Sequence, residues 1–167
     1  MAAICVFCAS SDAIDQRWTD LATETGRQIG ARGHTLVSGG GCVGMMGAVA
    51  DGARAAGAYT LGIIPQSLVD MEVADTASDE LVVTDGMLSR KALMIEKSDA
   101  FLTLPGGLGT LDELFEVWTT GSLAIHRKPM ILLNVDGFYD GLLSWLGTLA
   151  DSRFVRPAAL ADLIVVD

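Results

Sequence analysis

A chain of 167 residues with 11 Lys and Arg against 21 Asp and Glu carries a formal net charge of −10. That balance leaves no basic face for non-specific nucleic-acid binding, so any anionic ligand has to be held by a local device. Half of the residues are apolar, but no run approaches the ~20 needed to span a bilayer, and the length suits one domain over residues 1–167.

The start, "MAAICVFCASSD", has no basic n-region and is too short for a signal peptide, so a soluble cytoplasmic protein is expected. "AICVFCA" reads as a first strand, with "SSD" as turn and cap. Residues 14–32 have helical spacing (Ile14, Trp18, Leu21, Thr25, Ile29) and stop at Gly33. "HTLVSG" is a second strand, "GGCVG" a glycine turn, "MMGAVADGARAAG" a small-residue helix and "YTLGIIP" a third strand. Residues 66–80 are polar, acidic and poorly periodic, which predicts a loop. "LVVTD" is a fourth strand, "GMLSRKALMIEKS" a helix and "AFLTLP" a fifth strand. "TLDELFEVWTTGSLAIH" is a helix, "PMILLNVD" a sixth strand, "FYDGLLSWLGTLAD" a helix and "LIVVD" a last strand.

Alternating strands and helices, with near-continuous apolar strands, imply an α/β fold whose parallel sheet is covered on both faces. Ligands of such sheets bind beyond the carboxyl ends of the strands. Three loops rich in Gly or Ser meet there: Ala9–Asp12 with Ser10, Gly39–Gly47 with Gly40 and Gly41, and Pro105–Thr110.

The three cysteines, Cys5, Cys8 and Cys42, make an odd count and no secreted framework. Cys5 and Cys8 stand three apart on a strand and so face opposite ways, as buried reduced thiols. His34 and His126 stand alone, so no metal site is expected.

"GGGCVG" fits G-x-G-x-x-G, but the acid expected some twenty residues on is absent from "IIPQ", which argues against a dinucleotide. The turn is either a close strand–helix junction or a device that positions a phosphate. "PGGLGT" follows a strand and opens a helix, so the N–H groups of Gly106, Gly107, Gly109 and Thr110 can converge on one anion. No Lys follows the glycines, so this is not a triphosphate loop, and a monophosphate fits better.

Two readings of the acids after that loop stand side by side. Thr110 and Glu113 have capping-box spacing. Glu113 and Glu116 also share a helix face beside the loop, where a carboxylate about one sugar away could stabilise cationic character at a sugar carbon or activate water. Arg90 and Lys91 read either as solvated cations or, for Arg90 between Met87 and Met94, as a cation held against a carboxylate or phosphate.

"SGGGCVGMMG", "MLSRK" and "PGGLGTLDE" resemble the three signature stretches of the Lonely Guy (LOG) family, from about residue 4 to the end of the chain. The family pattern PGGxGTxxE is met by Pro105, Gly106, Gly107, Gly109, Thr110 and Glu113. The resemblance implies a Rossmann-like homodimer hydrolysing the N-glycosidic bond of N6-modified adenosine 5′-monophosphates, and AMP. No cofactor is implied. It assigns catalysis to Arg90 and Glu113, and substrate binding to Arg90–Lys91, Gly106–Glu113, Glu72 and Thr119. Two positions depart from the family: Ala9 stands where Gly is common, and "GMMG" replaces Gly-Leu-Met-Gly.

Such chains have also carried the label lysine decarboxylase. That chemistry needs a Schiff-base lysine, and only Lys91, Lys97 and Lys128 are present. A non-catalytic nucleotide carrier is a further alternative. The helix after "PGGLGT" carries Leu114, Phe115, Val117, Trp118 and Leu123, more apolar surface than one sheet face is expected to cover, and this also favours a dimer.

Overall fold

A computed structural model of the chain describes residues 1–71 and 73–167. Seven strands are assigned: β1 (Ala3–Phe7), β2 (Thr35–Ser38), β3 (Thr60–Pro65), β4 (Glu80–Thr84), β5 (Ala100–Thr103), β6 (Met130–Leu133) and β7 (Leu163–Val166). All pair in parallel, in the order β4-β3-β2-β1-β5-β6-β7. Each strand expected from the apolar runs is present, trimmed by a residue or more at its ends in most cases.

The helices are α1 (Gln16–Ala31), α2 (Gly44–Ala55), α3 (Gln66–Val69), α4 (Met87–Glu96), α5 (Leu108–Ser122), α6 (Asp140–Asp151) and α7 (Pro157–Ala161). Asp15 caps α1 through the Arg17 N–H at 3.0 Å. The sheet separates two apolar layers. Ala22 and Ile29 of α1 pack with Val49, Ala50 and Ala53 of α2 on one side. Met94 of α4, Leu114 and Val117 of α5, and Leu146 of α6 pack on the other. Cys5 falls in the second layer and Cys8 in the first, on opposite faces as their spacing requires.

Three expectations need correction. The segment 66–80 is not loop throughout: α3 opens it, and Ala74 forms an antiparallel bridge with Gly41. Helix α5 begins at Leu108, two residues before Thr110, with Gly107 as its cap. The apolar surplus assigned to α5 is absorbed within the protomer. Leu114, Val117 and Trp118 are buried, and the Trp118 indole N–H reaches Ala159 O of α7 at 2.6 Å. Of the residues that argument named, Leu123 is exposed. Among the described residues, no helix is long and apolar enough to cross a membrane.

Candidate active site

Strand β1 continues to β2 on one side and pairs with β5 on the other. The direction of progress across the sheet therefore reverses between β1 and β5, and the loops leaving their carboxyl ends part to form a crevice. Ala9 N–H donates to Pro105 O at 3.2 Å and ties the two loops together. The cleft above them has a volume of about 520 Å³.

One wall of the cleft is the start of α5. Its first-turn N–H groups have no partner within the helix. Its cap, Gly107, has no side chain to satisfy them, and no acid lies in the first turn. Gly107, Leu108, Gly109 and Thr110 line the cleft together with Ser10 and Ser11. This is an open anion cradle.

The other glycine turn is built differently. Gly40 N–H donates to Ser38 Oγ at 3.2 Å, Gly41 N–H to Met46 Sδ at 3.2 Å, Cys42 N–H to Val73 O at 2.9 Å and Gly44 N–H to Asp12 Oδ1 at 3.0 Å. Those amides are committed within the protein, and a carboxylate already sits at the start of α2. Of the two readings of "GGGCVG", the close junction is the one built. Gly44, at φ 60°, lets α2 start against the first loop: a Cβ there would lie 2.6 Å from Ser11 O.

Arg90 and Glu113 meet in the cleft, although they come from α4 and α5. Arg90 is 5 % exposed and Glu113 8 %. Main-chain carbonyls of β3 and of the turn after β2 fix the guanidinium: Nε donates to Ile63 O at 3.0 Å and Nη2 to Gly39 O at 2.9 Å. The remaining nitrogen, Nη1, lies 4.0 Å from Glu113 Oε1. That distance makes a loose pair rather than a bidentate clamp, and it leaves donors for a third group. A Cβ at Gly39 would fall 1.7 Å from Arg90 Nη2, so a side chain there would displace the guanidinium from its observed place.

Burial pushes the Glu113 carboxyl from 4.5 up to about 7, with Arg90 pulling the other way and Asp112 adding to the rise. A carboxyl poised there can exchange a proton near neutrality. It is not a helix cap, since α5 has already begun at Leu108 and Thr110 lies inside the first turn. Helical side chains lean toward the N-terminus, which inclines the Glu113 side chain toward the amide cradle. Burial, with Glu113 close by, also raises the Cys8 thiol beside it, which keeps the sulfur protonated and unsuited to nucleophilic work.

The remaining candidates are distributed unevenly. Gly41 lines the cleft, whereas Gly40 and Gly106 do not. Lys91 follows Arg90 by one helical step and points to α5, where Nζ meets Asp112 Oδ2 at 2.9 Å and Glu116 Oε2 at 2.6 Å. Those two carboxylates, Glu116 foremost, raise the Lys91 ammonium above its ordinary value. Lys91 and Glu116 thus form a brace between helices outside the cleft. Thr119 lines a separate groove with Phe115 and Trp118. Glu72 lies outside the described residues. The sequence reading missed the apolar side of the cleft: Val43, Met46, Leu68, Met71, Val73 and Met87. They come from distant elements, and only their shared apolar character could have hinted at it.

Residues 46–167 match the family model described as "Possible lysine decarboxylase". A cytokinin riboside 5′-monophosphate phosphoribohydrolase of Mycobacterium tuberculosis is 51% identical over 98% of this chain and 87% of its own length. The Arabidopsis thaliana protein of the same name, LOG5, is 43% identical over 93% of this chain and 68% of its own. Among solved structures, a molybdenum cofactor binding protein from Rippkaea orientalis is 26% identical with a TM-score of 0.75, over 99% of this chain and 89% of that one.

Proposed function

The chain belongs to the Lonely Guy family of cytokinin riboside 5′-monophosphate phosphoribohydrolases, and on that premise we propose how its cleft carries out the reaction. The enzyme hydrolyses the N-glycosidic bond of N6-modified adenosine 5′-monophosphates, giving free base and ribose 5-phosphate. The N–H groups at the start of α5, with Ser10 and Thr110, hold the 5′-phosphate. Arg90 holds and orients the nucleotide through the donors not used by Ile63 O and Gly39 O. Glu113 faces the sugar carbon. As the bond from C1′ to the base breaks, its carboxylate offsets the charge at C1′ and takes a proton from the attacking water. The base departs with the electron pair and takes a proton from solvent, the new C1′–O bond completes the sugar, and Glu113 returns its proton to solvent. The apolar side, with Met46, Met71 and Met87, receives the base and its substituent.

One observation carries this reading: a buried carboxylate, 4.0 Å from a buried guanidinium, stands one turn inside an uncapped anion cradle. Incubation with AMP and with N6-isopentenyl-AMP tests it, with free base and ribose 5-phosphate as the expected products. Retention of both nucleotides intact would refute it.

The decarboxylase label finds no support in the site. Pyridoxal phosphate needs a lysine amine. Lys91 is braced by Asp112 and Glu116, Lys97 pairs with Glu96, and Lys128 Nζ donates to Ile95 O. None of the three lines the cleft, so the residues present do not fit that group. The likeness to a cofactor binding protein favours a second reading, a non-catalytic carrier. A carrier has no use for a half-ionised carboxylate at the sugar, and base release separates the two.

The reading extends to a cytoplasmic homodimer. Exposed Leu88 and Leu108 beside the cleft, with Leu123 and Ile125 at the far end of α5, support an interface near the site. Thr119 lies outside its own cleft and would meet nucleotide only across such an interface. Light scattering at micromolar concentration should give twice the chain mass, and a monomer would refute this.

A further inference from the structure

One ion pair, a buried carboxylate with a half-buried guanidinium, has no part in the chemistry above. Asp75 is 5 % exposed and lies between α3 and β4. Its Oδ2 accepts from Arg54 Nη1 at 2.7 Å and from Ser78 Oγ at 3.1 Å, and its Oδ1 accepts from Ala77 N–H at 3.2 Å. Arg54 belongs to the last turn of α2, and its other terminal nitrogen reaches Asp51 Oδ1 at 2.6 Å.

The backbone around Asp75 is laid against the glycine turn after β2. Asp75 N–H donates to Gly40 O at 2.8 Å, Ala74 bridges Gly41, and Val73 O accepts from Cys42 N–H. That is one short rung, with no strand to extend it. Such a pair adds little net stability, because desolvation of Asp75 offsets the attraction, but without Arg54 the buried carboxylate would be left without its cation. The best-attested use of such a pair is to fix one arrangement among several. Here the arrangement is that of Val73, two residues before Asp75, and of Leu68 and Met71 upstream. All three line the apolar side of the cleft, whereas Asp75 and Arg54 do not line it.

We propose that Asp75 and Arg54 are positioning residues for the base end of the cleft, setting how well an apolar N6 substituent is held. This rests on the phosphoribohydrolase reading. The pair acts on selectivity among bases and leaves the phosphate cradle, Arg90 and Glu113 in place.

Steady-state kinetics with AMP and N6-isopentenyl-AMP test it on Asp75→Asn, Arg54→Lys and Ser78→Ala. For Asp75→Asn, KM for the isopentenyl nucleotide should rise about tenfold, as a lost apolar contact of about two methylenes would require. The kcat values and the KM for AMP should stay within about threefold. Arg54→Lys, which keeps a cation beside Asp75, should retain most of the preference. Ser78→Ala removes one hydrogen bond, should fold as the parent does, and should shift the same KM by about two- to threefold. Parallel changes for both nucleotides, or no change of KM in Ser78→Ala and Asp75→Asn, would overturn the proposal. If the parent enzyme releases base from neither nucleotide, the functional reading itself falls and takes this inference with it. An active parent with parallel changes brings down the positioning role alone.

Discussion

Replacing Glu113 by Gln keeps the shape of the side chain and removes its charge. In the folded chain the carboxyl titrates at about 7, against an ordinary 4.5. Between those values the folded protein keeps a proton that the unfolded chain has released. Stability therefore falls as pH rises from 4.5 to 7, and the deficit is fully present above 7. Each decade is worth about 1.4 kcal/mol, so the interval between 4.5 and about 7 amounts to about 3 kcal/mol. A glutamine behaves like the protonated acid at every pH. Glu113→Gln should therefore be more stable than the parent at pH 8, by up to about 3 kcal/mol, or about 6–12 °C in Tm for a chain of this size. Near pH 4.5 the two should melt together. Hydrolysis should fall by ~10²–10⁴-fold at least, since the amide neither accepts a proton from water nor offsets charge at C1′. Melting curves at pH 4.5 and 8, with base release followed by chromatography, make the test. A variant that melts lower than the parent at pH 8, or keeps its turnover, would refute the argument, because a capping role predicts that pair of outcomes.

Three further outcomes follow from the same geometry. The kcat/KM for AMP should rise with pH and level off above a midpoint near 7, as the Glu113 carboxyl ionises; a pH profile flat from 5.5 to 8.5 would detach Glu113 from the chemistry. Adenosine should be hydrolysed about a hundredfold less efficiently than AMP, on the scale of one lost charge-assisted anchor, and equal efficiencies would remove the cradle from the mechanism. Gly39→Ala adds one methyl where Arg90 Nη2 sits; turnover should drop by ~10²-fold or more through the displaced guanidinium, and an unchanged rate would mean that Arg90 need not hold its observed position.

The seven strands were legible because each is an apolar run closed by turn-forming or polar residues (Ser10 and Ser11 after β1, Gly, Pro, Asn or Asp after the others), and parallel strands need little else. Arg90 and Glu113 were legible only through the company they keep in "MLSRK" and "PGGLGTLDE", since an isolated arginine or glutamate on a helix reads as solvated surface. The start of α5 was misplaced because Gly107 caps it by backbone alone, with no Ser, Thr, Asp or Asn to mark the position. Lys91 and Glu116 joined the candidates by adjacency and by sharing a face with true cleft residues. One helical step of about 100° turns Lys91 from the cleft to the neighbouring helix. The segment 66–80 lacked periodicity because single side chains such as Asp75 hold it, and those leave no repeating pattern.

The anchoring of Arg90 bears on how this site can change over generations. Its guanidinium is gripped by the carbonyls of Ile63 and Gly39, and a main-chain oxygen is the same whatever side chain its residue bears. Neighbouring codons can therefore vary without releasing the cation, provided that position 39 stays glycine. The apolar side has little such insurance: apart from Met46, whose sulfur accepts the Gly41 N–H, Val43, Leu68, Met71 and Met87 line it and are exchangeable for other apolar residues at modest cost. On the proposed reading, drift at those four positions would change which base is held while the anchoring of Arg90 is inherited intact.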